Sequence, residues 1–318
     1  MAVPIVRFQQ SREPRWGVLF GNRIAPIDGD FPTTGDLLRK GRQAVRDAKV
    51  SHATVPLNEV QLLSPVTVNQ QLVCQGINYA SHVRESGMDP NKVAFNTIFT
   101  KAPSSICGAR DDIVRPHHVR LLDYEIELGL VVGRDINSPV EVAPEKLGDF
   151  LAGVTIVNDV SARDVQLPQV QFYKGKSYRT FCPVGPVLLL LTASEWKRWG
   201  ELRMRLSVNG EMRQDAKCGE MIFAPHRTLT ELSGLQDLAP GDLIATGTAA
   251  GCALRAPGKA AMFVMSHFMS NATKWRLFMK KAAQNPRYLK PGDEIVASIR
   301  TDNGDLELGE QRNRVVAQ

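Results

Sequence analysis

The sequence has no cysteine pattern that would build a disulfide framework or a zinc site. There are five cysteines, an odd number, and no two of them form a Cys-x-x-Cys motif. They are widely spaced along the chain, at Cys74, Cys107, Cys182, Cys218 and Cys252. Small buried thiols account for such a pattern, so we expect neither disulfides nor structural zinc.

Long hydrophobic runs are also missing. The longest, VGPVLLLLTA at 184–193, is far shorter than the roughly 20 apolar residues that cross a bilayer, and we expect no signal peptide at the start. A composition of 43% hydrophobic and 23% charged residues is that of an ordinary globular protein. We therefore expect a cytoplasmic protein with no membrane partner.

Acidic residues are missing from one segment. Between Asp242 and Asp293 there is none, whereas that segment contains eight lysines and arginines. The formal net charge of +6 is thus concentrated in one place and does not indicate a general polyanion-binding surface. Because basic and aromatic residues do not interleave into a broader patch, nucleic acid is not an expected partner.

Turn and strand signals divide the chain at about residue 65. In residues 1–65, Gly21 and Asn22 predict a hairpin between WGVLF and RIAPI, and Thr33 or Thr34 can cap a helical stretch, TGDLLRKGRQAVRDA. Residues 66–318 contain many strand-like segments with few helices between them. We predict an α+β fold that is mainly β, with a barrel-like or sandwiched antiparallel body after a small N-terminal α+β domain.

Three carboxylates alternate with apolar residues in DYEIEL, 123–128. On a strand the period of two places Asp123, Glu125 and Glu127 on one face, and about 7 Å separates the Cα atoms of the two glutamates. A solvated acidic face is one interpretation. However, the strand continues as GLVV, which is typical of a central strand, and like charges on one face repel. A hard cation such as Mg²⁺ or Mn²⁺ would relieve that repulsion.

Two further stretches place polar residues beside apolar runs. Asp159 ends the run LAGVTIV and is followed by Arg163, Asp164 and Gln166, which indicates either a site at the end of a buried strand or a helix N-cap. In FYKGKSYRTFCP, Lys176 either faces a substrate anion or is solvated.

The stretch GINYASHVRES, 76–86, contains a possible acid–base pair. If it turns helical near Asn78, His82 and Glu85 lie three residues apart on one face, where a carboxylate can orient an imidazole and raise its basicity. A surface ion pair is the plainer alternative.

Taken together, these stretches resemble the fumarylacetoacetate hydrolase family in order and across nearly the whole chain. The matching segments are GINYASHVRE, FTKAPSSICGARDDIVRP, DYEIELGLVVGR, AGVTIVNDVSARDVQ, KGKSYRTFCPVGP, MIF and LAPGDLIATGT. The resemblance implies a mixed β-sandwich roll at 66–318 after the N-terminal domain at 1–65, a homodimer, and a divalent metal, with Mg²⁺ first and Mn²⁺ or Ca²⁺ as alternatives.

The resemblance also implies roles for particular residues. Glu125, Glu127 and Asp159 would hold the metal. The expected catalytic groups are His82, Glu85 and Lys176, and the expected substrate contacts are Tyr79, Arg163, Gln166, Thr246, Gly247 and Thr248.

The family chemistry implies a hydrolase that cleaves a carbon–carbon bond in an acylpyruvate or related 1,3-diketo acid, a small anionic substrate from aromatic-compound degradation. An isomerase or decarboxylase of 2-oxo dicarboxylic acids is the alternative, since the same metal and enolate serve all three reactions. A non-catalytic protein that binds a metal or ligand is an alternative of another class.

The sequence departs from the family pattern in ways that affect the substrate rather than the metal set. Arg179 stands where an acidic residue is common, and TGTAAGCA, 246–253, replaces a proline-containing loop. An insertion at about 255–288 follows, whose segment 266–286 predicts a basic amphipathic helix that starts near Ser270 or Asn271 and is stopped by Pro286. That helix is either a lid or dimer contact, or a solvated surface helix, and charge runs favour the second.

Overall fold

The computed structural model describes residues 1–10, 13–169, 171–255 and 271–318. Strands outnumber helices in these ranges, as predicted. The strands are β1 Val3–Gln9, β2 Pro14–Phe20, β3 Arg23–Pro26, β4 Val55–Pro56, β5 Gln61–Leu63, β6 Leu72–Gly76, β7 Thr97–Thr100, β8 Ile106–Gly108, β9 Ile113–Arg115, β10 Leu122–Asp123, β11 Ile126–Val132, β12 Leu151–Asn158, β13 Ser161–Ala162, β14 Cys182–Val184, β15 Leu188–Leu190, β16 Arg203–Val208, β17 Glu211–Lys217, β18 Leu243–Thr248, β19 Glu294–Arg300 and β20 Glu307–Ala317.

The α-helices in the described ranges are mostly short. They are α1 Thr34–Lys40, α2 Arg42–Asp47, α3 Ala80–Glu85, α4 Leu147–Phe150, α5 Arg163–Gln169, α6 Phe172–Lys176, α7 Ala193–Trp196, α8 Pro225–Ser233 and α9 Asn271–Ala282. Short 3₁₀ turns lie at Val50–His52, Leu57–Glu59, Pro90–Lys92, Pro103–Ser105, Pro144–Lys146, Trp199–Glu201 and Cys218–Glu220. No helix in the described part of the chain is long and apolar enough to cross a membrane.

A large mixed sheet carries the fold. Its order is β4-β3-β2-β1-β15-β12-β11-β18-β6-β7, with β5 paired to β1 and β14 paired to β12 and β8. The path through the described strands is open, so this sheet is not a closed barrel. Strand β11 lies near the centre between β12 and β18, and all of its residues are buried, as its continuous apolar run predicts.

The sheet is covered on both faces. Residues Leu128 and Leu130 of β11 pack in one apolar cluster with Leu206 and Ile299 of a second sheet, whose order is β17-β16-β19-β20-β9. Val131, which alternates with them, belongs to a second cluster with residues of α1 and α2. This packing of one sheet on another confirms the predicted sandwich. One face of β11 is apolar, and the other face carries Glu127 as well as Val131.

The first 65 residues continue the main sheet, because Val3 pairs with Leu190 at the β1–β15 junction. The predicted hairpin is confirmed as β2 and β3. The predicted helical stretch is capped by Thr33, which accepts from the backbone N–H of Asp36, but it forms two helices rather than one. They are separated at Gly41, where a Cβ would lie 2.7 Å from the Leu37 carbonyl oxygen. The domain boundary at about residue 65 stays a prediction.

The basic helix of the insertion is α9, Asn271–Ala282. Residues 256–270, where the predicted lead-in to this helix falls, lie outside the described residues. The role of the insertion at about 255–288 stays a prediction.

Candidate metal centre and substrate cavity

The predicted strand DYEIEL is interrupted in the structure. Strand β10 ends at Asp123 and β11 begins at Ile126, and the Ile126 N–H donates to the side-chain oxygen of Gln214 at 3.0 Å. The N–H of Glu125 donates to the Asn158 side chain at 3.0 Å. Side chains thus replace ladder bonds at the break, and the expectation of one continuous strand was wrong. Glu125 and Glu127 nevertheless converge.

The carboxylates of Glu125, Glu127 and Asp159 form a buried group. Each contributes an oxygen, and these oxygens all lie within 4.8 Å of one another. An octahedral ion with metal–oxygen distances of about 2.1 Å needs its oxygens about 3.0 to 4.2 Å apart, and Ca²⁺ needs slightly more. The three oxygens therefore lie close to the spacing that a hard divalent cation requires. Asp159 does not act as the alternative helix N-cap, because its carboxylate faces two lysines and α5 begins only at Arg163.

Three buried cations surround the carboxylates. Lys176 Nζ lies 2.5 Å from Glu125 Oε2 and also contacts Asp159 Oδ2, and Lys101 Nζ lies 2.5 Å from Asp159 Oδ1. Arg163 donates to Glu125 Oε1 at 2.5 Å and to Asp123 Oδ2 at 2.8 Å.

The buried charges do not balance. Four carboxylates face these three cations, and only Glu127 has no ion pair with a described residue. From the described residues, the Glu127 carboxylate accepts one hydrogen bond, from the Gly247 N–H at 2.8 Å. The cluster thus has one negative charge more than its cations neutralise when all four carboxylates are ionised, which favours a bound cation.

The pKa values follow the same asymmetry. Burial opposes ionisation of Glu125, but the charges of Arg163 and Lys176 outweigh it and hold its pKa well below the ordinary value. Burial, together with the nearby charge of Asp159, raises the pKa of Glu127 well above the ordinary value. Burial also opposes the charge of Lys176, yet Asp159 and Glu125 raise its pKa.

A bulge in β18 places the Gly247 N–H against Glu127. The β11–β18 register shifts between Glu127 and Gly129, where Gly247 adopts a positive φ of 84°. The hydroxyls of Thr246 and Thr248 donate to the carbonyls of Leu128 and Ile126, each at 2.8 Å. These three residues therefore brace the strand that carries Glu127, and of the three only Thr248 lines the cavity described next.

A cavity of about 190 Å³ opens onto the carboxylates. Its polar wall contains the three acidic residues with His82, Arg163, Gln166 and Lys176. Its other lining residues are Gln75, Gly76, Ile77, Ser86, Phe99, Leu167, Phe172, Thr248 and Leu254. Gln166 accepts from Arg163 at 2.9 Å.

Tyr79 lies outside the residues that line this cavity. Its side chain is fully buried, and its hydroxyl donates to the sulfur of Met204 at 3.8 Å. Its packing therefore gives it a structural role before helix α3.

The helix predicted near Asn78 is α3, and it brings His82 to the cavity wall. Burial lowers the pKa of His82, although the charges of Glu125 and Glu85 oppose this. Among the described residues no hydrogen bond or ion pair joins His82 to Glu85, so the expected pair is not formed, and His82 Nδ1 has no partner there. Glu85 instead accepts from the Gly251 N–H at 2.8 Å and lies 3.8 Å from Arg255.

Sequence reasoning did not select Lys101. It is fully buried, donates to Asp159 and to the Phe181 carbonyl at 2.7 Å, and lies 58 residues before its carboxylate partner. Its position in FTKAPSS, one of the matching segments, was the only available signal.

Comparison with known proteins gives consistent matches. A family model described as fumarylacetoacetate (FAA) hydrolase C-terminal matches residues 71–316, and one described as Rv2993c-like, N-terminal, matches residues 5–65. Oxaloacetate tautomerase YisK of Bacillus subtilis (strain 168) is 38% identical over 198 residues, which are 61% of this chain and 64%, less than two thirds, of that protein. The mitochondrial oxaloacetate tautomerase FAHD2B of Bos taurus is 32% identical over 98% of this chain and 91% of that protein.

Solved structures match over the whole chain. A fumarylacetoacetate hydrolase from psychrophilic Exiguobacterium antarcticum has a TM-score of 0.76 with 31% identity, and covers 99% of this chain and 100% of its own. A maleylpyruvate hydrolase from Sphingobium sp. SYK-6, in complex with manganese(II) ion and pyruvate, has a TM-score of 0.70 with 25% identity over 99% of both chains. These similar proteins are enzymes, and one of them binds a metal and a small 2-oxo acid.

Proposed function

The chain belongs to the fumarylacetoacetate hydrolase family, and from that premise we propose that it is a metal-dependent isomerase that interconverts the enol and keto forms of a small 2-oxo dicarboxylic acid, oxaloacetate being the type of substrate. The observation that carries this proposal is the buried group of Glu125, Glu127 and Asp159 with His82 on the same cavity wall. Two curated relatives named oxaloacetate tautomerases support it.

The metal would be held by Glu125, Glu127 and Asp159. When bound, a divalent ion supplies a Lewis acid for two adjacent oxygens of the substrate and for the enolate charge that develops. Mg²⁺ and Mn²⁺ both suit an all-carboxylate site, and the manganese in the maleylpyruvate hydrolase structure supports Mn²⁺.

The cations of the site recognise the acid groups. Toward the described residues, Arg163 uses three of its five N–H groups, on Asp123, Glu125 and Gln166, which leaves two for a substrate carboxylate. The Lys176 ammonium uses two of its three donors on carboxylates and keeps one for an anionic oxygen. The cavity of about 190 Å³ is smaller than the roughly 300 Å³ and above of drug-sized pockets, which suits a short diacid.

His82 is the proposed proton carrier. Since burial lowers its pKa, its imidazole is neutral near pH 7, and its Nδ1 has no hydrogen-bond partner in the described part of the chain. Ketonisation removes the proton from the enol oxygen and adds a proton to the far carbon of the C=C bond, while the carbon that bears the oxygen becomes the carbonyl, so proton number is unchanged and no water is consumed. One shuttling imidazole is sufficient for this reaction.

Cleavage of a carbon–carbon bond in an acylpyruvate, as in aromatic-compound degradation, is the second candidate. The fold similarity to a maleylpyruvate hydrolase favours it. Hydrolysis, however, needs a water activated by His82 with Glu85 behind it, and in this structure Glu85 is bonded to Gly251 instead. Isomerisation therefore fits the geometry better. A decarboxylase is the third outcome of the same chemistry, and the homodimer and the cytoplasmic location stay predictions.

The test is product analysis by NMR with oxaloacetate and with an acylpyruvate, each with Mg²⁺ or Mn²⁺, against blanks that contain metal without protein. We expect faster enol-to-keto conversion of oxaloacetate with no pyruvate formed, and its loss in the His82→Gln variant. Pyruvate with a carboxylic acid from the acylpyruvate would instead establish the hydrolase. No turnover of any compound with either metal would refute both.

A further inference from the structure

We propose that Asp123 is a positioning residue that couples the guanidinium of Arg163 to the loop 249–254 and thereby sets two walls of the substrate cavity. Asp123 is fully buried and does not itself line the cavity. The consequence for substrate affinity rests on the proposed function, whereas the consequence for ligand binding can be measured without turnover.

The Asp123 carboxylate is saturated with donors from both directions. Oδ1 accepts from the N–H groups of Tyr124 at 2.9 Å and Ala253 at 2.7 Å. Oδ2 accepts from Arg163 Nε at 2.8 Å and from the Leu254 N–H at 3.0 Å. A carboxylate offers about four lone-pair sites, so every one of them is used.

Arg163 depends on this contact for its direction. A guanidinium is a rigid planar fork, so fixing Nε against Asp123 also fixes the two terminal nitrogens. One of them donates to Glu125 and the other to Gln166, and all three of these partners are buried. The carboxylate of Asp123 thus fixes the orientation of Arg163 at the cavity wall, although Asp123 itself does not line the cavity.

The same carboxylate holds the loop 249–254, which contributes Leu254 to the cavity. Other residues near Asp123 also bind this loop. The carboxylate of Glu85, in α3, accepts from the Gly251 N–H. On the other side, Arg287 donates to the Gly251 carbonyl at 2.6 Å, and Asn285 donates to the Ala253 carbonyl at 2.9 Å. Asp123 joins this loop directly to Arg163, whereas Cys252 of the loop reaches Arg163 only through Glu125, to whose Oε1 its thiol donates at 3.8 Å.

Asp123→Asn tests the coupling with minimal change of shape. An amide retains one acceptor oxygen, so in either orientation its NH₂ group faces two N–H donors, and the Arg163 and Ala253 contacts, which lie on different oxygens, cannot both persist. Since Arg163 would hold the substrate in ground and transition states alike, the loss is expected in KM, by about tenfold, with kcat changed by less than about threefold.

Asp242→Asn is the matched control. Asp242 is also buried and accepts backbone N–H groups, from Gln71 at 2.9 Å and Ala239 at 2.8 Å, but it lies at the opposite end of β18. This variant should lower the melting temperature without changing KM. The variant Arg163→Lys, alone and combined with Asp123→Asn, completes a double-mutant cycle.

The experiment measures KM for oxaloacetate and, separately, the calorimetric Kd of pyruvate in the presence of Mn²⁺. We expect Asp123→Asn to weaken pyruvate binding about tenfold and to have less than about a twofold further effect on KM or Kd in the Arg163→Lys background. Multiplicative effects in the double variant, or unchanged pyruvate binding, would overturn the coupling.

If the wild type binds pyruvate but does not turn over oxaloacetate, the proposed function fails while the Kd cycle still decides the role of Asp123. Should Asp123→Asn not fold, Asp123→Glu, which displaces the carboxylate by one methylene, takes its place with the same expected loss.

Discussion

Replacing Glu127 by Gln should weaken metal binding strongly while leaving the metal-free fold nearly as stable as the wild type. Glu127 accepts one hydrogen bond, from Gly247 at 2.8 Å, and has no ion pair with a described residue. The Gln side chain has the same shape and keeps an oxygen for that bond. Because burial and Asp159 already oppose ionisation of Glu127, as its raised pKa indicates, little favourable charge interaction is lost.

Glu125→Gln is the comparison that gives the magnitude. It removes the charge that Arg163 and Lys176 each contact at 2.5 Å inside the protein. Breaking a buried pair on one side costs about 3–5 kcal/mol, so this variant should be destabilised by that amount without metal, and Glu127→Gln by less than about 1 kcal/mol. Since loss of an outer contact to a ligand already weakens metal affinity by about 10 to 100 times, loss of the Glu127 ligand should exceed about 100-fold.

The assay is urea unfolding of EDTA-treated protein by circular dichroism, followed by calorimetric titration with Mn²⁺. If Glu127→Gln were as unstable as Glu125→Gln, Glu127 would have a buried ionic partner that our interpretation denies. Unchanged Mn²⁺ affinity in Glu127→Gln would show that the three carboxylates do not form the metal site.

Three further predictions concern the surroundings of the site. Lys101→Met should lower the unfolding free energy of the EDTA-treated protein by about 3–5 kcal/mol, because Asp159 loses a buried partner; an unchanged urea midpoint would contradict this. Gly247→Ala should weaken Mn²⁺ affinity in calorimetry, because φ is 84° there and a Cβ would lie 3.1 Å from neighbouring atoms. The control Gly304→Ala, where φ is 78° and the space is open, should have the same backbone strain but retain Mn²⁺ affinity. Equal losses of Mn²⁺ affinity in the two variants would refute the reasoning. Because the pKa of His82 is lowered, protonation removes this base only at acid pH. The acidic limb of the pH profile of kcat/KM should therefore lie below the ordinary histidine pKa of about 6.5. An acidic limb above pH 7 would exclude His82 as that base.

Local periodicity predicted the parts of the site that depend on one strand. The alternation in EIELGLVV placed Glu125 and Glu127 on the face away from Leu128 and Leu130, and the apolar run correctly indicated a central strand. The hairpin at Gly21 followed from turn chemistry in the same way. Such features need only neighbours in sequence.

Contacts between distant residues were not predictable from local patterns. Gln214 interrupts the strand at Ile126 from 88 residues away, and Gly251 takes the Glu85 carboxylate that an isolated helix would present to His82. Both contacts arise only after the sheet and its loops have assembled. The continuity of the strand and the His82–Glu85 bond were therefore the expectations that tertiary contacts changed.

Metal-dependent turnover tests our interpretation most directly. EDTA-treated protein should be titrated with Mn²⁺ while the rate of enol-oxaloacetate conversion is followed, with the rate from metal alone subtracted. We expect no protein-dependent rate without metal and a rise that ends at one equivalent per chain. A rate that is already full in the EDTA-treated protein would contradict a catalytic metal held by Glu125, Glu127 and Asp159.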